Sequence, residues 1–237
     1  MIDGKKVGVI IPAAGIGKRM GGSVAKPFLE VAGKPIIVRT LEQFQNSPEV
    51  DIIIIASDKK NMEQVTMFVN QFRLQKVHSV IEGGIERQDS VWNGLQVLAK
   101  LKADLVIIHD AVRPFISKQL IKSVLQAALK DNAVIVAVRP KDTIKKSTIS
   151  GYAEETLNRE QLWITQTPQV FQFSLIYNAF IKARSDNFYG TDDASLVERI
   201  GAKVRIVEGK YDNIKITTPE DLELAESIIK RFVINDN

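Results

Sequence analysis

The chain has no cysteine. Disulfides, thiol nucleophiles and thiolate metal sites are therefore excluded together. Its two histidines, His78 and His109, are too few for a structural zinc site, and no Ser-His-Asp pattern surrounds either of them. Apolar runs do not exceed strand length, as in Ile52–Ala56, and residues 1–10 lack the basic, apolar, small-residue order of a secretory leader. A cytoplasmic chain with no membrane span is expected. Charge of neither sign is blocked: the net charge is +4, with Lys and Arg scattered. That pattern argues against a nucleic-acid or membrane partner and for an acidic small molecule. No repeat, low-complexity tract or Ser/Gly linker divides the 237 residues, so residues 1–237 read as one domain with an appended arm.

What is present is alternation. Val7–Pro12, Asp51–Ser57, Lys76–Glu82, Asp104–His109 and Ala133–Val138 are short Val/Ile-rich runs expected to be strands. Pro35–Phe44, Lys60–Phe72, Glu86–Leu101 and Ser117–Lys130 carry helical spacing, with Pro35 suited to a first helical position. Such alternation predicts an α/β fold, a mostly parallel twisted sheet covered by helices on both faces, with ligands beyond the strand C-terminal ends. After Pro140 the pattern changes. Asp142–Ser147 and Tyr152–Leu157 flank Ser150-Gly151 as a polar hairpin, too poor in apolar surface to stand alone and suited to packing on a second subunit. Trp163–Phe171 is expected to be extended, followed by helices near Ser174–Arg184 and from Thr191, a strand Val204–Glu208, and a strand Asn213–Thr217 carrying Lys215. Thr218-Pro219-Glu220-Asp221 then announces a capped final helix.

The first strand runs into Pro12-Ala13-Ala14-Gly15-Ile16-Gly17-Lys18-Arg19-Met20, a glycine-rich turn followed by Lys26. Backbone N–H groups in such a turn approach a polyphosphate closely while the cations neutralise it. It is not a P-loop, for no Ser or Thr follows Lys18 to hold magnesium. Nor is it a dinucleotide fingerprint: Met20 stands where a third small residue belongs, and the nearest suitable acid, Asp58, is about twice the usual 20 residues away. Other candidates lie at strand ends. Asp110 follows an apolar strand and suits a Mg²⁺ ligand shared with phosphates, or else a turn or helix cap. Gly83, Gly84 and Ser90 open a helix and fit either a base and ribose or a self-capped turn. Arg113 reads as structural, paired with a nearby acid. Thr143, Arg159, Thr167 and Thr191 could serve a phosphorylated second substrate, although Thr191 also suits an N-cap.

In order and spacing, the Pro12–Met20 loop, Gly83-Gly84-x-x-Arg87-Gln88-Asp89-Ser90, His109-Asp110-Ala111-x-Arg113-Pro114, Thr167-Pro168-Gln169, Thr191-Asp192-Asp193-Ala194-Ser195 and Asp212-Asn213-Ile214-Lys215 resemble the 2-C-methyl-D-erythritol 4-phosphate cytidylyltransferases. The resemblance covers essentially the whole chain. It implies a Rossmann-like nucleotidyltransferase fold, a homodimer joined through the β-arm, and Mg²⁺-dependent transfer of CMP from CTP to methylerythritol phosphate. By position it implies Arg19, Lys26 and Lys215 as the charge-stabilising catalytic residues, with Ala13, Ala14, Gly15 and Gly17 against the triphosphate. Gly83, Gly84 and Ser90 fall at the cytidine, Asp110 at the metal, and Thr143, Arg159, Thr167 and Thr191 at the acceptor, Arg159 reaching across from the partner subunit. The chain departs from the family's usual pattern at Ala25-Lys26-Pro27, where Pro-Lys-Gln is common, and at Ile85, where several members carry an acid. The alternatives are a ribitol-5-phosphate cytidylyltransferase, against which Ala13-Ala14-Gly15 and Thr191–Ser195 stand, and more remotely a non-catalytic or NAD-type nucleotide-binding protein.

Overall fold

The computed structural model describes residues 1–15 and 25–235. In chain order the strands are β1 (Val7–Ala13), β2 (Glu30–Val31), β3 (Lys34–Pro35), β4 (Ile52–Ser57), β5 (Val77–Glu82), β6 (Leu105–Ile108), β7 (Ala133–Val138), β8 (Lys145–Ser147), β9 (Ala153–Thr156), β10 (Ile164–Gln172) and β11 (Arg205–Glu208). The helices are α1 (Ile36–Gln45), α2 (Met62–Gln71), α3 (Arg87–Lys100), α4 (Lys118–Asp131), α5 (Phe173–Ser185), α6 (Asp193–Arg199) and α7 (Pro219–Asn235). Among the described residues no helix is long and apolar enough to cross a membrane.

Seven strands form one sheet in the order β11-β7-β10-β6-β1-β4-β5. All neighbours pair in parallel except β10, which runs antiparallel between β6 and β7. Because side chains alternate along a strand, Val9, Ile11, Ile53 and Ile107 pack under α1, α2 and α4, while Ile10, Ile54, Val106 and Ile108 pack under α3, α5 and α6. The chain proceeds from β1 outward to β4 and β5, then returns to β6 on the other side of β1. That reversal opens a crevice at the C-terminal ends of β1 and β6, the expected place for a ligand in such a sheet.

α3 sits unusually close to β1. A Cβ at Gly94 would lie 2.8 Å from Ile10 Cγ2, and one at Gly8 would lie 2.6 Å from Leu98 Cδ2. Only glycines permit this approach, which fixes the height of the α3 N-terminus over the sheet edge.

Three local expectations are corrected. Pro35 is not the first helical residue; it ends β3 opposite Glu30 and serves as the N-cap of α1, because the short β2–β3 hairpin holds it extended. The helix expected from Thr191 starts at Asp193, with Asp192 as its cap, its carboxylate accepting from Ser195 N at 2.9 Å. Lys215 does not lie on a strand. Residues 213–217 are irregular, and among their contacts with the rest of the chain Ile216 N donates to Val112 O at 3.0 Å. The last helix is capped as anticipated: Asp221 Oδ2 accepts from the backbone of Thr217 and Thr218 at 2.8 and 2.9 Å.

β8 and β9 form a separate two-stranded hairpin, every residue of which is exposed. Ile149 and Tyr152 at its tip are exposed as well.

His109, just past β6, is fully buried, with its ring edge-on to Phe44 at 5.0 Å between centroids. Its Nε2 lies 2.9 Å from Arg113 O, an acceptor, so the neutral ring carries its proton there. Burial pushes its pKa down to about 4. The unfolded chain takes up this proton below about pH 6.5 while the folded chain refuses it until about pH 4, so the contribution is whole above 6.5 and lost on acidification. His109→Gln keeps an amide donor for Arg113 O without the titration. Urea unfolding at pH 7 and pH 5 is expected to show the stability difference between the two chains shifting by about 2 kcal/mol in favour of the variant at the lower pH. An unchanged difference would mean that His109 is protonated within the fold.

Candidate active site

At the end of β6 the chain delivers Asp110 into the crevice, 6% exposed. An apolar strand gives a carboxylate no partner of its own, so every compensating charge comes from elsewhere. Arg87 at the start of α3 donates from Nε to Oδ1 at 3.1 Å. Lys215 Nζ stands 2.9 Å from Oδ2, and Arg113 Nε lies 3.5 Å from the same oxygen. Burial alone would raise the Asp110 carboxyl, yet Arg87, then Lys215 and Arg113, hold it far below the ordinary carboxylate range. Asp110 is thus an anion at any physiological pH.

Arg87 faces a second acid. Its NH2 is 2.8 Å from Asp193 Oδ2, a close charge contact without the alignment of a hydrogen bond. Burial pushes the Asp193 carboxyl up, and Arg87 opposes that shift. Both acids in turn raise the pKa of Arg87 despite its own desolvation. Three cations against two carboxylates leave the cluster net positive. An anion is what such an arrangement favours.

The surrounding segments are pinned by hydrogen bonds. Buried Thr40 on α1 donates to Ala111 O at 2.9 Å. Asp110 N donates to Thr167 Oγ1 at 3.1 Å, at the point where the β10 register slips between Gln166 and Gln169. Asn213, fully buried, donates from Nδ2 to Gln166 Oε1 and Thr167 O at 3.1 and 2.9 Å, and its own carbonyl accepts from Arg113 NH1 at 2.8 Å. These contacts carry Lys215 to Asp110 without a strand.

Ala13 ends β1, and Ala14 and Gly15 follow it at the crevice. Gly17 and Arg19 lie outside the described residues. Lys26, only 8% exposed, begins a 3-10 turn with Pro27 and donates from Nζ to Thr217 O at 2.7 Å. It therefore meets the segment that bears Lys215. Gly83 closes against Ala14: a Cβ at Gly83 would lie 2.7 Å from Ala14 Cβ and 2.8 Å from Ser90 Oγ. Ser90 is buried and accepts from Gly84 N at 3.0 Å while donating to Glu86 O at 3.3 Å. Together with the Glu86–Asp89 capping box this makes a self-capped turn, with Ser90 shaping the backbone of Gly83 and Gly84. Ile85 is exposed beside it.

The proposed acceptor residues divide. Thr167 is buried next to Asp110. Thr191 is exposed in a loop held from both sides: Gln88 accepts from Gly190 N at 2.9 Å, and Gln169 donates to Asp192 Oδ2 at 2.7 Å. Thr143 and Arg159 are exposed at the base of the hairpin, where Arg159 NH1 donates to Lys141 O at 2.9 Å. Sequence reasoning gave Arg87 and Asp193 no place in the site. The only signal was their position inside two of the motifs, since their partnership spans 106 residues of chain.

The family model for 2-C-methyl-D-erythritol 4-phosphate cytidylyltransferase (IspD) matches residues 7–231. A relative of that name from Geobacillus kaustophilus is 47% identical over 220 residues, covering 93% of this chain and 95% of its own. Another from Symbiobacterium thermophilum is 46% identical over 224 residues, covering 94% and 93%. A crystal structure of 4-diphosphocytidyl-2C-methyl-D-erythritol synthase from Anaerococcus prevotii superposes with a TM-score of 0.86 at 35% identity, over 97% of this chain and 98% of that one. With the match running through every segment that converges on Asp110, the chain belongs to the 2-C-methyl-D-erythritol 4-phosphate cytidylyltransferase family and is an enzyme of the nucleotidyltransferase class.

Proposed function

We propose that the Asp110 crevice is where this chain transfers CMP from CTP to 2-C-methyl-D-erythritol 4-phosphate, releasing pyrophosphate. The observation that carries this reading is the net-positive cluster of Arg87, Arg113 and Lys215 around one ionised carboxylate, at the topological switch point of the sheet. An oxygen of the acceptor phosphate attacks the α-phosphorus in line. A new P–O bond forms as the bond to the β-phosphate oxygen breaks, and pyrophosphate leaves with the electron pair. A phosphate monoester has a second pKa of about 6 and is already nucleophilic at neutral pH, so no general base is required. This agrees with an inventory without cysteine and with a buried, neutral His109.

The work left to the protein is alignment and charge compensation. Lys26 and Lys215, together with Arg19, oppose charge on the α-phosphate and on the departing pyrophosphate. Ala13, Ala14 and Gly15, with Gly17, serve the triphosphate, and Gly83 and Gly84 admit the cytosine. In this reading Lys215, 41% exposed, exchanges Asp110 for phosphate when substrate arrives.

Mg²⁺ is the cofactor this reading requires. Among the described residues no three His, Cys, Asp or Glu gather to hold a metal by themselves. Asp110 nevertheless fits, because Mg²⁺ is commonly held by one or two carboxylates with substrate phosphates and water supplying the other oxygens. When bound there, Mg²⁺ would neutralise phosphate oxygens and help orient them.

The acceptor lies between Thr143, Thr167, Thr191 and, from a second subunit, Arg159. A two-stranded hairpin exposed on all sides is marginal in water, which supports its burial in a homodimer. The reading also takes residues 1–237 as a single nucleotidyltransferase domain working in the cytoplasm.

Pyrophosphate release from CTP is expected with methylerythritol phosphate and Mg²⁺, and not with ribitol 5-phosphate. The reverse preference would assign the chain to the other acceptor. Lys215→Ala is expected to remain folded by circular dichroism while losing about 10²–10³ in kcat; near-normal turnover would remove Lys215 from the chemistry. Sedimentation at micromolar concentration should give a dimer, and a monomer would rule out an acceptor site shared between subunits.

A further inference from the structure

Arg87 stands at the first position of α3, where the positive end of the helix dipole disfavours a cation. The helix does not need it there: Glu86 and Asp89 already satisfy that terminus with a capping box. What Arg87 gains is tertiary, since its guanidinium bridges Asp110 Oδ1 at 3.1 Å and Asp193 Oδ2 at 2.8 Å. Asp193 is 1% exposed, so removing this cation would leave a carboxylate uncompensated in the interior, besides stripping Oδ1 of Asp110. Lys215 presents the opposite case. It is 41% exposed, and its departure leaves Asp110 still paired with Arg87 and Arg113. The three cations are therefore unequal: one is locked in place by two buried acids, and one is able to leave.

We infer that Arg87, anchored by Asp193, is a positioning residue for cytidylyl transfer, fixing Asp110 through Oδ1 so that Oδ2 can be exchanged and Lys215 released toward the reacting phosphates. This rests on the function proposed above. The planar fork is essential to the role, because a lysine ammonium supplies the charge but cannot address both carboxylates with the same fixed geometry.

The test compares Arg87→Met, Arg87→Lys, Asp193→Asn and the double variant Arg87→Met/Asp193→Asn with the unaltered full chain. Steady-state pyrophosphate release gives kcat and KM for both substrates, and thermal melts report folding. A misplaced reacting group costs roughly 10²-fold, so Arg87→Met is expected to lose about that much in kcat with KM for CTP nearly unchanged. Arg87→Lys should recover only a small part of the loss. Asp193→Asn should lower kcat by about tenfold alone and by nothing further in the Arg87→Met background, since the two act as one unit.

A kcat for Arg87→Met close to that of the unaltered chain overturns the inference, as does an Asp193→Asn effect equally large in both backgrounds. Full recovery by Arg87→Lys overturns it too, reducing Arg87 to a simple counter-charge. Should Arg87→Met fail to fold, Arg87→Lys and Asp193→Asn decide: a purely structural pair would lower the melting temperature and leave kcat per folded molecule intact. If the unaltered chain itself releases no pyrophosphate, the proposed function fails and the inference falls with it. An active unaltered chain with indifferent variants overturns the inference alone.

Discussion

The buried carboxylate of Asp110 cannot remain ionised at the end of an apolar strand without positive charge brought to it, and much of the chain's organisation answers that demand. Arg87 comes from the start of α3, Arg113 from the turn beyond the carboxylate, and Lys215 from an irregular segment just before the last helix. None of these cations is at home locally. Arg87 opposes a helix dipole, Arg113 is desolvated, and Lys215 rides on a stretch without regular structure, pinned through Asn213. The cluster exists only once the sheet has assembled, and its surplus positive charge suits an anion.

Sheet topology explains how residues so far apart converge. The return from β5 to β6 across β1 leaves adjacent C-terminal strand ends whose following loops diverge, and Ala14 and Gly15 after β1 and the Asp110 turn after β6 both lie at that opening. α3 is let down onto β1 by Gly8 and Gly94, bringing Arg87 within reach of Asp110 and seating Gly83 against Ala14. The antiparallel β10 contributes differently. Its register slip turns Thr167 toward the backbone of Asp110 and places Gln169 to hold the loop that precedes α6.

Much of this was legible in residue order. The Val/Ile runs and helical spacings foretold strands and helices to within one or two residues, because period-2 and period-3.6 burial are written directly into sequence. Thr218–Asp221 announced its helix for the same reason: capping is a local interaction over three or four residues. Expectations failed where a distant element overrode local preference. Pro35 suits a helix start but is held extended by its pairing with Glu30, and the segment around Lys215, expected as a strand, is held irregular by the bonds of Asn213 to Thr167 and of Ile216 to Val112. The self-capped turn around Ser90 was one of two readings open at the outset, and local hydrogen bonds are what the structure builds there.

Residue order by itself determined the fold class, the strand-end placement of Asp110 and the absence of any thiol, since each rests on composition or on contacts between near neighbours. Tertiary structure alone decided that Arg87 and Asp193 form a pair, that Lys215 reaches Asp110 and that Lys26 meets Thr217. Polar contacts between residues so far apart in sequence leave no periodic trace in a chain. Their energy depends on burial and on distances of a few ångströms, and both come into being only when the sheet closes.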